Sequence, residues 1–367
     1  MNIAYVALAP FISGSERCLQ LLLTDNIDHN AVLILHKGSP LQSWADERCI
    51  RCYTCDLSPL DTKRPWRWLW AQLYLLWIFI VNNIDVVHSN QIWSYPAICW
   101  PSSLLRIPRV CHFRDPINSG SRWWIPKRIH AAICVSEYIG KEFELTIKKT
   151  LYNECTPLID PVAYREPKTE VAIKQGRDDG RSRLNVEHGL FVFGFVGQIA
   201  PVKGVLELLQ GLAAMSTREW VLLIAGKDPS DDQHYIRSCY KFVEDNGLGG
   251  NVRFLGFLDD VDLFYAAVDV VVMFSKEEPL GLIPLEAGMC YTPAIVSSVG
   301  GLPETVNPGA SGWVVSLQLS DLSTILFASM SANINEMGIE ARRWAERKTD
   351  LTAYRESLSK IYEQLIY

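Results

Sequence analysis

Short, continuous apolar runs alternate with segments of helical spacing along the chain. In the first half the runs are Ile3–Leu8, Ala31–His36, Ile84–His88, Arg109–Phe113 and Ala131–Val135. Between them Glu16–Asn26 and Glu137–Leu145 carry helical spacing. Runs that are apolar throughout, rather than alternately, suit strands covered on both faces, so a parallel sheet wrapped by helices is predicted. The pattern breaks at residues 160–188, which are polar, hold Pro161, Pro167, Gly176 and Gly180, and show no sustained period. A linker, or a loop leading into a second domain, is predicted there. A second series follows: Leu190–Val196, Val221–Ala225, Val252–Leu255, Asp269–Phe274 and Ala294–Ser297. The expected organisation is an α/β protein of two doubly wound domains, 1–165 and 189–345, with a linker over 166–188. A C-terminal helix over 346–367 is expected to cross back to the first domain.

At 367 residues the chain suits two such domains. Hydrophobic residues make up 49% and charged residues 21%, which excludes disorder, collagen-like repeats and a nucleic-acid-binding tail. The net charge of -6 is unevenly placed: residues 1–165 hold 17 Lys+Arg against 14 Asp+Glu, and the remainder 18 against 27. A mildly basic first part on an acidic chain points to an anionic partner for that part, such as a membrane surface. Ten irregularly spaced cysteines do not resemble a secreted disulfide scaffold. The start MNIAYVALAP reads as a first strand rather than a leader, so a cytoplasmic location is expected, with peripheral attachment to the inner face of the plasma membrane. Trp66–Val81, WRWLWAQLYLLWIFIV, is almost wholly apolar but shorter than the ~20 residues a spanning helix needs. A buried crossover helix and an interfacial helix both fit it. Lys63, Arg64, Trp66, Arg67, Trp68 and Trp70, and a second cluster of Trp123, Trp124, Lys127 and Arg128, favour contact with an anionic leaflet.

Ligands of doubly wound sheets sit at the carboxyl ends of the strands. The loop after the first strand, Ala9 to Glu16, contains Gly14 at a helix start, where free N–H groups suit an anion and a plain tight turn fits equally. The matching loop of the second domain runs from Gly197 through Gln198 to Lys203 and Gly204. Lys203 falls at a helix start, where the dipole disfavours a cation unless an anion is nearby; an exposed lysine is the plainer alternative. The stretch Phe274–Gly288, FSKEEPLGLIPLEAG, brings a strand into a loop with Glu278 and Gly281, then a helix near Leu282 that contains Glu286. Acidic groups at a helix start can be simple caps. They can also line a pocket in which carboxylates meet sugar hydroxyls and N–H groups meet a diphosphate, the two parts of a nucleotide-sugar.

Glu278 and Glu286 within EPLGLIPLEAG, followed by Val299–Gly300–Gly301–Leu302–Pro303–Glu304, resemble the motifs of retaining glycosyltransferases of family 4, which have the GT-B fold. The Gly197 to Gly204 loop, Leu255–Gly256 and Gly312 extend the resemblance. The first half is similar more loosely, through Gly14–Ser15–Glu16, the strand ending at His88, His112 and Val135–Ile139. The resemblance implies two Rossmann-like domains facing an interdomain cleft. It implies that Glu278 binds the donor sugar and Glu286 the ribose. Lys203 and the N–H groups at Gly281–Leu282 would hold the diphosphate, with Gly14 closing on it. Backbone near Phe257 would meet the nucleobase, and His112 would lie near the reacting sugar and acceptor. Catalytic roles are thus expected for Glu278, Lys203 and His112. Gln198 departs from the arginine usual at that position, so a neutral amide replaces a bidentate phosphate clamp.

The expected activity is retaining transfer of a sugar, a hexosyl group, from a nucleotide-diphosphate sugar to a saccharide or polyprenyl-linked saccharide. The setting would be cell-surface polysaccharide or glycolipid synthesis, with no cofactor and no nucleic-acid partner. A nucleotide-sugar epimerase of the same fold and a non-catalytic nucleotide-sugar-binding protein are the rival readings. No metal is expected. Asp260–Val261–Asp262 opens a helix and reads as a cap, and Cys49, Cys52 and Cys55 lack a nearby fourth ligand.

Overall fold

The computed structural model describes residues 1–24, 28–56, 65–116, 129–147, 155–163, 165–187, 189–258 and 260–366. They form two compact units, Met1–Val162 with Asp350–Tyr367, and Ala163–Thr349.

The first unit is built on a wholly parallel sheet of β1 (Asn2–Ala7), β2 (Asn30–His36), β3 (Arg51–Cys55), β4 (Val86–Ser89), β5 (Arg109–Phe113), β6 (Ala131–Cys134) and β7 (Thr156–Pro157). The strand order is β3-β2-β1-β4-β5-β6-β7. Its helices are α1 (Gly14–Leu23), α2 (Leu41–Glu47), α3 (Pro65–Val81), α4 (Tyr95–Leu104) and α5 (Glu137–Ile147). The last helix of the chain, Leu351–Ile366, buries Tyr354, Leu358 and Tyr362 in the same core as Ile3, Tyr5, Leu33 and Val86. The central strands are buried along most of their length, as their unbroken apolar runs require. Cys134 and Cys155 are disulfide-bonded.

The second unit carries α6 (Glu170–Arg183), β8 (Phe191–Val196), α7 (Val205–Ala213), β9 (Trp220–Ala225), α8 (His234–Asp245), β10 (Val252–Gly256), α9 (Asp262–Ala267), β11 (Val270–Met273), α10 (Ile283–Met289), β12 (Ala294–Ser297), β13 (Gly312–Val315), α11 (Leu319–Ser329) and α12 (Ile334–Lys348). This sheet is also parallel, in the order β10-β9-β8-β11-β12-β13. The order reverses between β8 and β11, which are paired neighbours. Loops leaving adjacent strands in opposite directions open a crevice at such a point.

One sequence expectation needs correction. Residues 166–188 are not simply a linker, because α6 occupies their middle and belongs to the second unit. Thr169 caps α6 by accepting the Ala172 N–H at 3.3 Å. The helix is held less by an apolar face than by a close backbone approach and ion pairs: a Cβ on Gly180 would lie 3.0 Å from the Leu263 carbonyl, and Arg181 reaches Asp269 at 2.6 Å. That is why no apolar period marks it. Cys52 and Cys55 lie within β3, an edge strand in which only Cys55 is buried, so its sequence carries no apolar run.

Candidate active site

The carboxyl ends of β8, β9 and β10 are tied to one another through glycine. Gly197 follows β8 with φ +141°, and a Cβ on Gly226 would sit 1.8 Å from the Gly197 carbonyl oxygen. Only glycine permits so close an approach with that backbone. The Gly197 N–H donates to Ala225 O at 3.0 Å, Gly226 N–H to Gly256 O at 2.7 Å, and Ile199 N–H to Lys227 O at 2.9 Å. Gln198 is thereby left exposed at the end of β8.

From there a short 3-10 turn, Pro201–Lys203, leads into α7. Gly204 follows the turn with φ +69°, and a Cβ there would meet the Phe274 carbonyl oxygen at 2.0 Å. Lys276 N–H donates to Val202 O at 2.8 Å. These two contacts bind the loop after β8 to the loop after β11. As a result Lys203 Nζ lies 2.6 Å from Glu278 Oε2, with side chains 23% and 12% exposed. This is a charge-assisted hydrogen bond across 75 positions of sequence.

Glu278 is fixed from behind by the glycine pair that follows β12. Gly301 N–H donates to Glu278 O at 3.0 Å. A Cβ on Gly300, at φ +61°, would be 1.9 Å from the same oxygen, and one on Gly301 would be 2.3 Å from Pro279 O. Gly281, at φ +83°, turns the chain toward α10 past Leu282. Pro284 stands in the first turn of α10, where its missing N–H costs no helical bond. Glu286 lies in the same turn, and its Oε2 accepts the Tyr265 hydroxyl at 3.0 Å. Burial, and then the Glu286 charge, push the Tyr265 phenol well above its usual range, so it stays a donor.

Phe257, just beyond β10, is 57% exposed, and Lys227 Nζ stands 5.1 Å from its ring centroid. This end of the sheet therefore offers an aromatic face with a cation beside it. Lys227, Tyr265 and Gly226 were missed in the sequence. Gly226 carries the readable signal, since a glycine follows β8 and β9 and ends β10 alike.

Gly14 and His112 belong to the first unit. Gly14 is exposed at the start of α1, after Ser13, whose N–H donates to Glu16 Oε2 at 3.0 Å. His112 lies within β5, its ring buried in the first unit. Burial, and then the Arg114 charge, push its pKa well below 6.5, so the ring is neutral. Its Nε2 is 3.6 Å from Asp160 Oδ1, too far for a hydrogen bond, and neither ring nitrogen has a hydrogen-bond partner among the described residues. Asp160 instead takes both arms of Arg114 at 3.0 Å. The Cys18 thiol donates to it at 3.3 Å and the Tyr354 hydroxyl at 3.4 Å.

Asp260 Oδ1 accepts the Asp262 N–H at 3.0 Å at the start of α9, and Asp262 pairs with Arg165. Among the described residues no group of three or more His, Cys, Asp or Glu is placed to hold a metal ion.

The family model for glycosyl transferases group 1 matches residues 176–322. An uncharacterized glycosyltransferase of Methanocaldococcus jannaschii is 36% identical over 278 residues, covering 67% of this chain and 69% of that one. A D-inositol 3-phosphate glycosyltransferase of Saccharomonospora viridis is 31% identical over 204 residues, 50% of this chain. The chain spans about half, 47%, of that relative's length. Among solved structures, Anabaena HepE in complex with UDP superposes with a TM-score of 0.85 at 18% identity, covering 99% of this chain and 100% of that one. Its complex with UDP-glucose gives 0.83. The expected fold class, two parallel-sheet Rossmann-like domains as in GT-B glycosyltransferases, is the one found.

Proposed function

This chain belongs to the glycosyl transferases group 1 family, and from that premise we propose that it moves a hexosyl group from a nucleotide-diphosphate sugar to a saccharide or polyprenyl-linked saccharide, with retention of anomeric configuration. The observation that carries the reading is the Lys203–Glu278 pair at 2.6 Å, on loops that meet where the strand order reverses, with Glu286 in the first turn of the helix that follows. A cation, a sugar-binding carboxylate and a ribose-binding carboxylate then follow one another along a single edge. The UDP and UDP-glucose bound by the similar HepE fold support a donor of this kind.

In the proposed reaction the bond from the donor anomeric carbon to the β-phosphate oxygen breaks. A bond from the same carbon to the acceptor oxygen forms on the same face, and the acceptor proton passes to the departing phosphate. Lys203 and the N–H groups around Gly281–Leu282 offset the charge that develops on the diphosphate. Glu278 holds the sugar hydroxyls and Glu286 the ribose. No resident metal is called upon, and cell-surface polysaccharide or glycolipid synthesis at the inner face of the plasma membrane is the proposed setting.

The test is turnover on a panel of nucleotide-sugars, with and without acceptor. Glu278→Gln should lower turnover by about tenfold or more, since hydrogen bonds to a charged group are worth ~1.5–3 kcal/mol, while the melting temperature holds. An unchanged rate on the true donor would remove Glu278 from the site. Epimerised donor without acceptor, or tight donor binding without turnover, would replace the transferase reading.

A further inference from the structure

We propose that the outward face of α3, together with the adjoining face of α4, is a docking surface for the interfacial layer of a lipid bilayer. The inference stands on the first unit alone and does not depend on the donor-site reading. Helix α3 is apolar on every side, a composition expected of a buried helix. Only one side is buried: Gln72, Leu75, Ile78 and Phe79 pack inward. Trp66, Trp70, Leu73, Trp77 and Ile80 recur at four- and three-residue spacing on the other side and are 57%, 69%, 40%, 49% and 55% exposed. The face does not end with α3. Trp68 packs against Trp100 of α4 at 6.3 Å between ring centroids, and Trp100 is 40% exposed.

A bilayer interface matches this face better than a protein surface does. Tryptophan is enriched where headgroups meet acyl chains, because its ring is apolar and its N–H is wet. From Pro65 to Leu104 the sole carboxylate is Asp85, which is turned to the sheet and accepts the Asn2 N–H at 2.7 Å. The exposed charges at the ends of the two helices are basic: Arg67 on α3, which pairs with the exposed Asp56, and Arg106 just beyond α4. An anionic headgroup can replace Asp56 at Arg67 without leaving a buried charge unpaired. No helix among the described residues is long and apolar enough to cross a membrane, so α3 would lie along the interface. A second copy of the chain would bring two basic helix ends together, with Asp56, already paired with Arg67, as the acidic group beside each. Lys63, Arg64, Trp123, Trp124, Lys127 and Arg128, also expected to face a membrane, lie outside the described residues.

The experiment is flotation of the full chain with phosphatidylcholine vesicles and with vesicles containing phosphatidylglycerol. Tryptophan quenching by brominated lipid gives depth, and sedimentation without lipid gives oligomeric state. The wild type should float with the anionic vesicles and be quenched. Trp66→Ser with Trp70→Ser should lower partitioning by about tenfold or more, because two exposed rings lose their apolar burial. Thermal melting and UDP affinity should be unchanged, since both rings are more than half exposed. Absence of flotation, flotation indifferent to the double substitution, or a lipid-free dimer that the double substitution dissolves would each overturn the proposal. Quenching in the wild type needs no variant, so a folding defect cannot mask the outcome.

Discussion

Gly300 gives the sharpest separation between placing Glu278 and merely stabilising the unit. Gly300→Ala adds a Cβ 1.9 Å from the Glu278 carbonyl oxygen, where ordinary contact begins at 3.4 Å. The loop must therefore open by about 1.5 Å, and Glu278 is the residue it carries. The substitution also places a side chain at φ +61°, which costs roughly 1–2 kcal/mol. Gly309→Ala is the matched control, with φ +80° and nothing within 4 Å of the added Cβ. Both variants should melt lower, by roughly 2–8 °C for the strain alone in a unit of this size. Only Gly300→Ala should lose sugar transfer, by about a hundredfold, since displacing a positioned group by ~1 Å has effects of that order. Initial rates on the true donor, taken well below both melting temperatures, decide the matter. Equal rates for the two variants would refute the claim that the glycine pair after β12 holds Glu278 in place.

Glu278→Gln releases Lys203 from its carboxylate partner, so it should tighten binding of the free nucleoside diphosphate even while transfer slows, and calorimetry reads the sign. Lys203→Ala should weaken donor and nucleoside diphosphate alike, whereas Gln198→Arg should strengthen the diphosphate; equal affinity for Gln and Arg would mean that the loop after β8 faces elsewhere. Stability should fall in mild acid. Burial lowers His29 to about 4 and His88 to about 3, and holds His112 well below 6.5. These folded-state values lie beneath the unfolded one, so the unfolded chain takes up protons first. Their contribution is complete above about pH 6.5 and is lost as pH falls from there toward 4. Asp160, raised by burial against the pull of Arg114, opposes the trend as a single group. Melting temperatures from pH 7.5 to 5 test this, and a flat profile would contradict it.

Most of the central strands were legible because a strand covered on both faces must be apolar at every position, as Trp220–Ala225 is. The edge strands β3 and β13 were not, since Arg51–Cys55 has only Cys55 buried and Gly312–Val315 has only its two ends buried. Helix α6 hid for a related reason: Arg181–Asp269 and the close approach at Gly180 hold it, and neither leaves an apolar period. His112 shows a different limit. A histidine in a buried strand and a histidine at a binding site are the same letter, and that Asp160 pairs with Arg114, leaving both His112 ring nitrogens without a hydrogen-bond partner among the described residues, is set by contacts across 46 positions.

The second unit's site was readable for a different physical reason. Its geometry rests on glycines that fit against carbonyl oxygens, Gly204 on Phe274, Gly226 on Gly197 and Gly300 on Glu278, with Cβ positions 2.0, 1.8 and 1.9 Å from those oxygens. A glycine required by such contact cannot be exchanged for alanine without moving backbone, so it stays visible in the sequence. The oxygen it fits stays invisible. The sequence therefore marks where loops are pinned but not to what, and the meeting of Lys203 with Glu278 follows only once Gly204 is set against Phe274 and Gly300 against Glu278. The same limit applies to α3. Its apolar letters are identical on both sides of the helix, and only the packing of Leu75, Ile78 and Phe79 inward assigns Trp66, Trp70 and Trp77 to the outside.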